Sequence, residues 1–229
     1  CDSLNTLELT INEIPTASID GNSGVCNGNN AITLNTQINI PSVSITATPL
    51  DEISGAKLAV GLRKLSTAYN GPALRLRRSS DNQEQDFGFA GNDLDVNAIA
   101  TWLNGASGYC TKLYDQSGNG GDVTQSNTNA QPLLVLSGIN NKPILRFTTA
   151  QTMLNAVNYT TPYSVIYGSR VTGTSSRVLS AKNNNWLLGY WGTYEDRAYF
   201  DGWVFDGMQT TVPNQFNIYA CSGNGSISN

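Results

Sequence analysis

Residues 61–89 read GLRKLSTAYNGPALRLRRSSDNQEQDFGF, and residues 113–122 read LYDQSGNGGD. Leu58, just before the first stretch, and Leu62, Leu65 and Tyr69 within it recur at spacings that put them on one face of a helix. Ser54 is the expected cap, and Asn70-Gly71-Pro72 the expected stop. A strand is expected over residues 73–78, with Leu74 and Leu76 on one face and Arg75 and Arg77 on the other. A second short helix is expected over residues 96–103, capped by Asp95, lined by Val96, Ile99 and Leu103, and ended by Gly105.

Outward from this block the texture is that of short strands. The runs 110–114, 133–136, 143–147, 164–167, 177–179, 186–191, 198–203 and 215–220 lie between Gly, Asn and Pro turn signals. Before the block, Leu7, Leu9 and Ile11 alternate with polar residues, and a second alternating run covers residues 32–45. The expected fold is all-β: a concanavalin-like jelly-roll sandwich over residues 51–229, with two short helices near its start. Residues 1–50 form a separate β segment and linker.

Composition narrows the function classes. The 229 residues are 13% charged with a net charge of −4, and Arg75 to Arg78 is the densest basic stretch. Nucleic acid binding needs a clustered positive footprint and is not expected. No run approaches the roughly 20 apolar residues of a membrane-spanning helix. The chain has no histidine, so Ser-His-Asp catalysis and His-ligated zinc are excluded. Cys1, Cys26, Cys110 and Cys221 have no C-x-x-C spacing and allow three pairings. Such sparse, hydroxyl- and amide-rich composition suits an exported protein, and the chain reads as a fragment of a longer extracellular or cell-surface polypeptide.

The order of short helix, Gly-Pro turn, Arg-bearing strand and Asp-Gln-Ser-Gly loop resembles the start of the catalytic domain of the α-L-arabinofuranosidase B family, glycoside hydrolase family 54. Residues 1–31 resemble a junction between immunoglobulin-like repeats of bacterial surface proteins. The first resemblance implies a retaining glycosidase, which needs two carboxylates roughly 5–5.5 Å apart. It also implies a nucleophilic Glu just after a vicinal Cys-Cys pair. The corresponding region here has Ser175-Ser176 or Arg177-Val178 in place of that pair, and residues 123–194 contain no Asp or Glu.

The candidate acids are therefore Glu195, Asp201 and Asp206. An alternative is sugar binding without hydrolysis: aromatic rings stack on sugar C–H faces while amides and acids bond the hydroxyls. Trp191, Tyr194 and Trp203, with Asn184 and Asp201, are the candidate ligand-binding set. Asp115, Ser117, Asn119 and Asp122 space their oxygens as in a calcium loop, with Gly120 at the sixth position. Ser126 stands where that loop requires its bidentate Glu, so the competing reading is a turn in which Asp115 and Asn119 bond backbone amides. Arg75, Arg77 and Arg78 read either as a ledge for an acidic glycan or as ion-pair partners of Asp81, Glu84 and Asp86. The leading expectation is a non-catalytic carbohydrate-binding or adhesion module needing no cofactor. An arabinofuranosidase and a ligand-free structural stalk are its alternatives.

Overall fold

The computed structural model describes residues 48–148, 151–160, 162–173, 177–181 and 185–223. The expected immunoglobulin-like segment up to residue 47 lies outside the described residues, as does Asn184. The fold class is all-β, and every strand pairing among the described residues is antiparallel. Two compact units divide the chain, one ending at Asn155 and the other beginning at Ala156.

The first unit contains α1 (Pro49–Glu52), β1 (Leu74–Arg78), β2 (Glu84–Phe87), β3 (Phe89–Ala90), β4 (Asp93–Leu94) and α2 (Val96–Leu103). It continues through β5 (Gly108–Leu113), β6 (Val123–Thr124), β7 (Leu133–Ile139), β8 (Lys142–Arg146) and β9 (Leu154–Asn155). A seven-stranded sheet runs β2-β1-β5-β6-β9, with β7 also paired to β5 and β8 to β7. Asn140 and Asn141, both at positive φ, make the two-residue turn between β7 and β8. Leu74 and Leu76 of β1 are fully buried, and with Phe87, Leu94, Ile99, Leu103, Cys110 and Leu134 they form the core. Thus the apolar face of the Arg-bearing strand anchors the core while Arg75 and Arg77 point the other way. Helix α2 follows expectation: Asp95 Oδ1 accepts from Ala98 N at 3.0 Å, and left-handed Asn104 followed by Gly105 ends it.

The helix expected from Ser54 to Tyr69 is absent. Helix α1 is a single turn upstream, and residues 53–73 run as irregular chain. Backbone groups that would have bonded along a helix bond across the unit instead. Ala59 N donates to Asp115 Oδ1, and Leu65 N donates to Gln116 Oε1 at 2.8 Å. Gln116 Nε2 donates to the carbonyls of Gly61 and Arg63. Upstream, Asp51 accepts from the backbone and hydroxyl of both Thr48 and Thr67. The Thr48 N–H, then that of Thr67, holds the Asp51 carboxyl down at about 2. Long-range partners have overridden a helical period.

The second unit contains β10 (Tyr163–Arg170), β11 (Leu179–Ser180), β12 (Trp186–Trp191), β13 (Tyr194–Phe200), β14 (Trp203–Asp206) and β15 (Phe216–Gly223). Strands β11-β12-β13-β14 form one sheet and β10-β15 a second. The run expected as one strand over residues 198–203 is instead a hairpin. Asp201 at φ 51° and Gly202 form its two-residue turn. Tyr167, Tyr190 and Tyr219 join the two sheets. The rings of Tyr167 and Tyr219 stack at 5.1 Å, and Tyr190 meets Tyr219 edge-on at 5.3 Å. Gly189, at φ 94°, leaves room for the Tyr167 hydroxyl and Tyr219 ring, which a Cβ there would strike. Burial raises the hydroxyl pKa of both Tyr167 and Tyr219.

Candidate functional site

In the first unit the carboxylates hold the scaffold together. Asp115, only 5% exposed, accepts from Ala59 N, Ser117 N, Ser117 Oγ and Gly121 N at 2.8–3.0 Å. Asp122 accepts from Asp115 N and pairs with Lys112, and Asn119 Nδ2 donates to the Ala56 carbonyl. These hydrogen bonds are those of the structural turn. The Asp115 carboxylate faces amides and a hydroxyl and that of Asp122 an amide and the Lys112 ammonium, and among the described residues no cluster of three or more His, Cys, Asp or Glu side chains is arranged for a metal.

The arginine strand divides. Arg75 and its cross-strand neighbour Asp86 form a two-bond ion pair at 2.7 and 2.9 Å. The Arg75 guanidinium, helped by the Tyr114 hydroxyl, outweighs desolvation and holds the Asp86 carboxyl below its ordinary value, while burial and the bond to Asp86 push Tyr114 up to about 12. Arg78 pairs with Asp81 and lies over the Trp102 ring. Arg77 and its cross-strand neighbour Glu84 form no ion pair. Among the described residues Cys110 and Cys221 form no disulfide, and burial pushes the Cys110 thiol up to about 12.

The second unit gathers the remaining acids on the β13–β14 hairpin. Glu195 is 4% exposed, and its carboxylate accepts from Gln209 Nε2 at 2.9 Å, Val212 N at 3.1 Å and Asn217 Nδ2 at 3.2 Å. Tyr219 Oη donates to its backbone carbonyl at 2.7 Å. Asp196 accepts from Gln209 N, and Asp206 pairs with Arg197 at 3.0 Å. The Arg197 guanidinium lies 4.2 Å from the Tyr194 ring centre and 5.0 Å from that of Trp203. Trp203 also meets Tyr199 edge-on. Trp191, at the far end of β12, is 37% exposed beneath Arg177.

Around Arg197 the hairpin thus brings Tyr194, Trp203 and Asp206 together, while Asp201 stands apart at its turn. Trp191 stands opposite Tyr194 in register. Glu195 belongs to the interior of the unit. Sequence reading missed Arg197, Gln209 and Asn217, polar residues whose pairing with the acids of β13 and β14 has no local mark in the sequence. It also missed Gln116 and Gln131, buried amides at 3% and 2% exposure.

The family model "Alpha-L-arabinofuranosidase B, catalytic" matches residues 56–185. A search of the curated proteins found no match. Among solved structures, a glycoside hydrolase family 54 α-L-arabinofuranosidase soaked with a cyclic sulfate inhibitor aligns with a TM-score of 0.53 at 17% identity. An arabinofuranosidase complexed with arabinofuranosyl-α-1,2-xylobiose aligns at 0.50, also at 17% identity. A Glu-to-Gln variant of a family 54 enzyme soaked with 4-nitrophenyl α-L-arabinofuranoside aligns at 0.52 and 17%. Each alignment covers 73% of this chain but 46% of the solved chain, so the chain spans about half the length of these relatives. The likeness shows the fold, an all-β sandwich, and the family match, covering more than half the chain, shows the family. The chain belongs to the α-L-arabinofuranosidase B catalytic-domain family.

Proposed function

We propose that the chain is an arabinofuranosidase-type glycoside hydrolase domain acting on α-L-arabinofuranosyl groups. The family match over residues 56–185 carries this reading, which displaces the adhesion module expected from the acid-poor sequence. Beyond Asp122 the only acids are Glu195, Asp196, Asp201 and Asp206, so acid–base work in the second unit has to draw on them. Asp206 is open to a sugar, its side chain being 53% exposed, and Arg197 orients it beside the Trp203 ring. Asp201 sits at the tip of the same hairpin. The exposed Trp203 face supports stacking of a furanose or its aglycone. The reading asks for no metal, and an extracellular setting suits a polysaccharide substrate.

A second reading, arabinofuranosyl binding without hydrolysis, is favoured by one observation. Retention needs two available carboxylates. Of the four, Glu195, Asp196 and Asp206 already accept hydrogen bonds or an ion pair, leaving Asp201 alone without a partner among the described residues. Release of 4-nitrophenolate from 4-nitrophenyl α-L-arabinofuranoside separates the readings. Hydrolysis predicts release, reduced about 10²–10⁴-fold by Asp206→Asn if Asp206 is the general acid. That variant loses a solvent-screened pair worth at most about 1 kcal/mol, so its fold is expected to persist. Binding of arabinofuranosyl-xylobiose with no release supports the second reading, and neither binding nor release overturns both.

A further inference from the structure

The first unit holds a cavity of about 510 Å³ lined by Arg77, Asn82, Tyr109, Thr128, Asn129 and Gln151. Its size is that of a small-molecule site. It lies on the polar face of β1 and β5, in the first unit, whereas the acids of the β13–β14 hairpin belong to the second. We propose that this cavity binds a uronic acid residue, with Arg77 receiving the sugar carboxylate.

Arg77 is the member of the arginine trio whose charge is not matched by a carboxylate. Its Nε donates to Gln131 Oε1 at 2.7 Å and its Nη1 to Asn82 Oδ1 at 2.8 Å, both neutral acceptors. Among the described residues Nη2 has no acceptor. With the second Nη1 hydrogen it leaves the end-on fork of the guanidinium open, the geometry that takes a carboxylate with two parallel bonds. The arginine is also held in place before any ligand arrives. Gln131 is 2% exposed and is itself fixed by donation from its Nε2 to the Gln125 carbonyl, while the guanidinium lies 5.1 Å from the centre of the Tyr109 ring. A fixed donor loses little freedom on binding.

The rest of the lining matches hydroxyls. Thr128 and Asn129 are exposed with side chains that bond nothing else among the described residues, and Gln151 uses only its Oε1, on Thr148 N. Hydroxyl and amide groups around a single open cation fit a carboxylated sugar better than a bare anion. This inference stands apart from the hydrolysis reading and needs no catalytic residue.

Calorimetric titration of the whole chain with α-1,4-digalacturonate, its neutral counterpart α-1,4-galactobiose, and acetate tests it. Digalacturonate is expected to bind, more weakly as salt rises, with galactobiose and acetate each weaker by about tenfold or more. Arg77→Gln is expected to lose a similar factor. Thr128→Trp, which fills the cavity but leaves Arg77 in place, is expected to abolish binding and decides the matter should Arg77→Gln fail to fold. Equal affinity for the neutral disaccharide, equal affinity for acetate, digalacturonate affinity unchanged in Thr128→Trp, or no digalacturonate binding would overturn the proposal.

Discussion

Asp115→Ala is expected to remove about 4 kcal/mol or more of stability, because hydrogen bonds to a charged group are worth about 1.5–3 kcal/mol each and this carboxylate accepts four. Three of the donors are backbone N–H groups, of Ala59, Ser117 and Gly121, that have no other partner waiting. Losing the Ala59 bond also removes one of the tethers that hold the irregular chain of residues 53–73 to the Asp115–Gln116 loop. Urea unfolding followed by tryptophan fluorescence is the measurement, and a loss below about 1 kcal/mol would place the loop outside the structural core of the unit. The effect is pH-dependent. Desolvation alone would raise the Asp115 pKa, but the N–H groups of Ala59 and Ser117 outweigh it and the net shift is downward. A carboxyl whose folded pKa lies below its unfolded value of about 3.9 stabilises fully above that pH and loses its contribution as pH falls through the folded value. The native chain is therefore expected to weaken progressively below about pH 4, and Asp115→Asn to lack that component.

Glu195→Ala is expected to cost about 3–5 kcal/mol, counted from three hydrogen bonds to a buried carboxylate. Val212 N, Asn217 Nδ2 and Gln209 Nε2 would face an apolar methyl in the interior of the second unit. Glu195→Gln keeps one acceptor but points an NH₂ group at a donor, so about half that cost is expected. These losses should appear in chemical unfolding. They should also appear as raised hydrogen exchange in β13 and β15, since Tyr219 donates to the Glu195 carbonyl and Asn217 to its carboxylate. If Glu195→Gln is as stable as the native chain yet loses all hydrolysis, Glu195 is a catalytic group and not a strut.

Legibility in the sequence followed the range of the interactions. Helix α2 was readable because its cap, apolar face and stop lie within a dozen residues of one another. The inward Leu74 and Leu76 of β1 were readable for the same reason. The Leu58-to-Tyr69 period misled, because Asp115 and Gln116, about fifty residues away, supply the bonds that decide that segment's backbone. The Asp-Gly pair at residues 201–202 signalled a hairpin turn, but the flanking aromatics made one continuous strand of it. The acids of the hairpin were found, yet nothing about Glu195, between Tyr194 and Asp196, marks it as buried. Its partners Gln209, Val212 and Asn217 come from chain that follows it and is brought over it by β15. The ion pairs of Arg75 and Arg78 could be read from nearby acids, whereas the neutral cage around Arg77 depends on Gln131, 54 residues on.

The most direct test of the hydrolase reading is time-resolved release of 4-nitrophenolate from 4-nitrophenyl α-L-arabinofuranoside by the native chain and by Asp206→Asn. The account predicts release proportional to protein concentration in the native chain and its collapse in the variant, with both proteins unfolding at similar urea concentrations. No release from the folded native chain, even at high concentration, would contradict it.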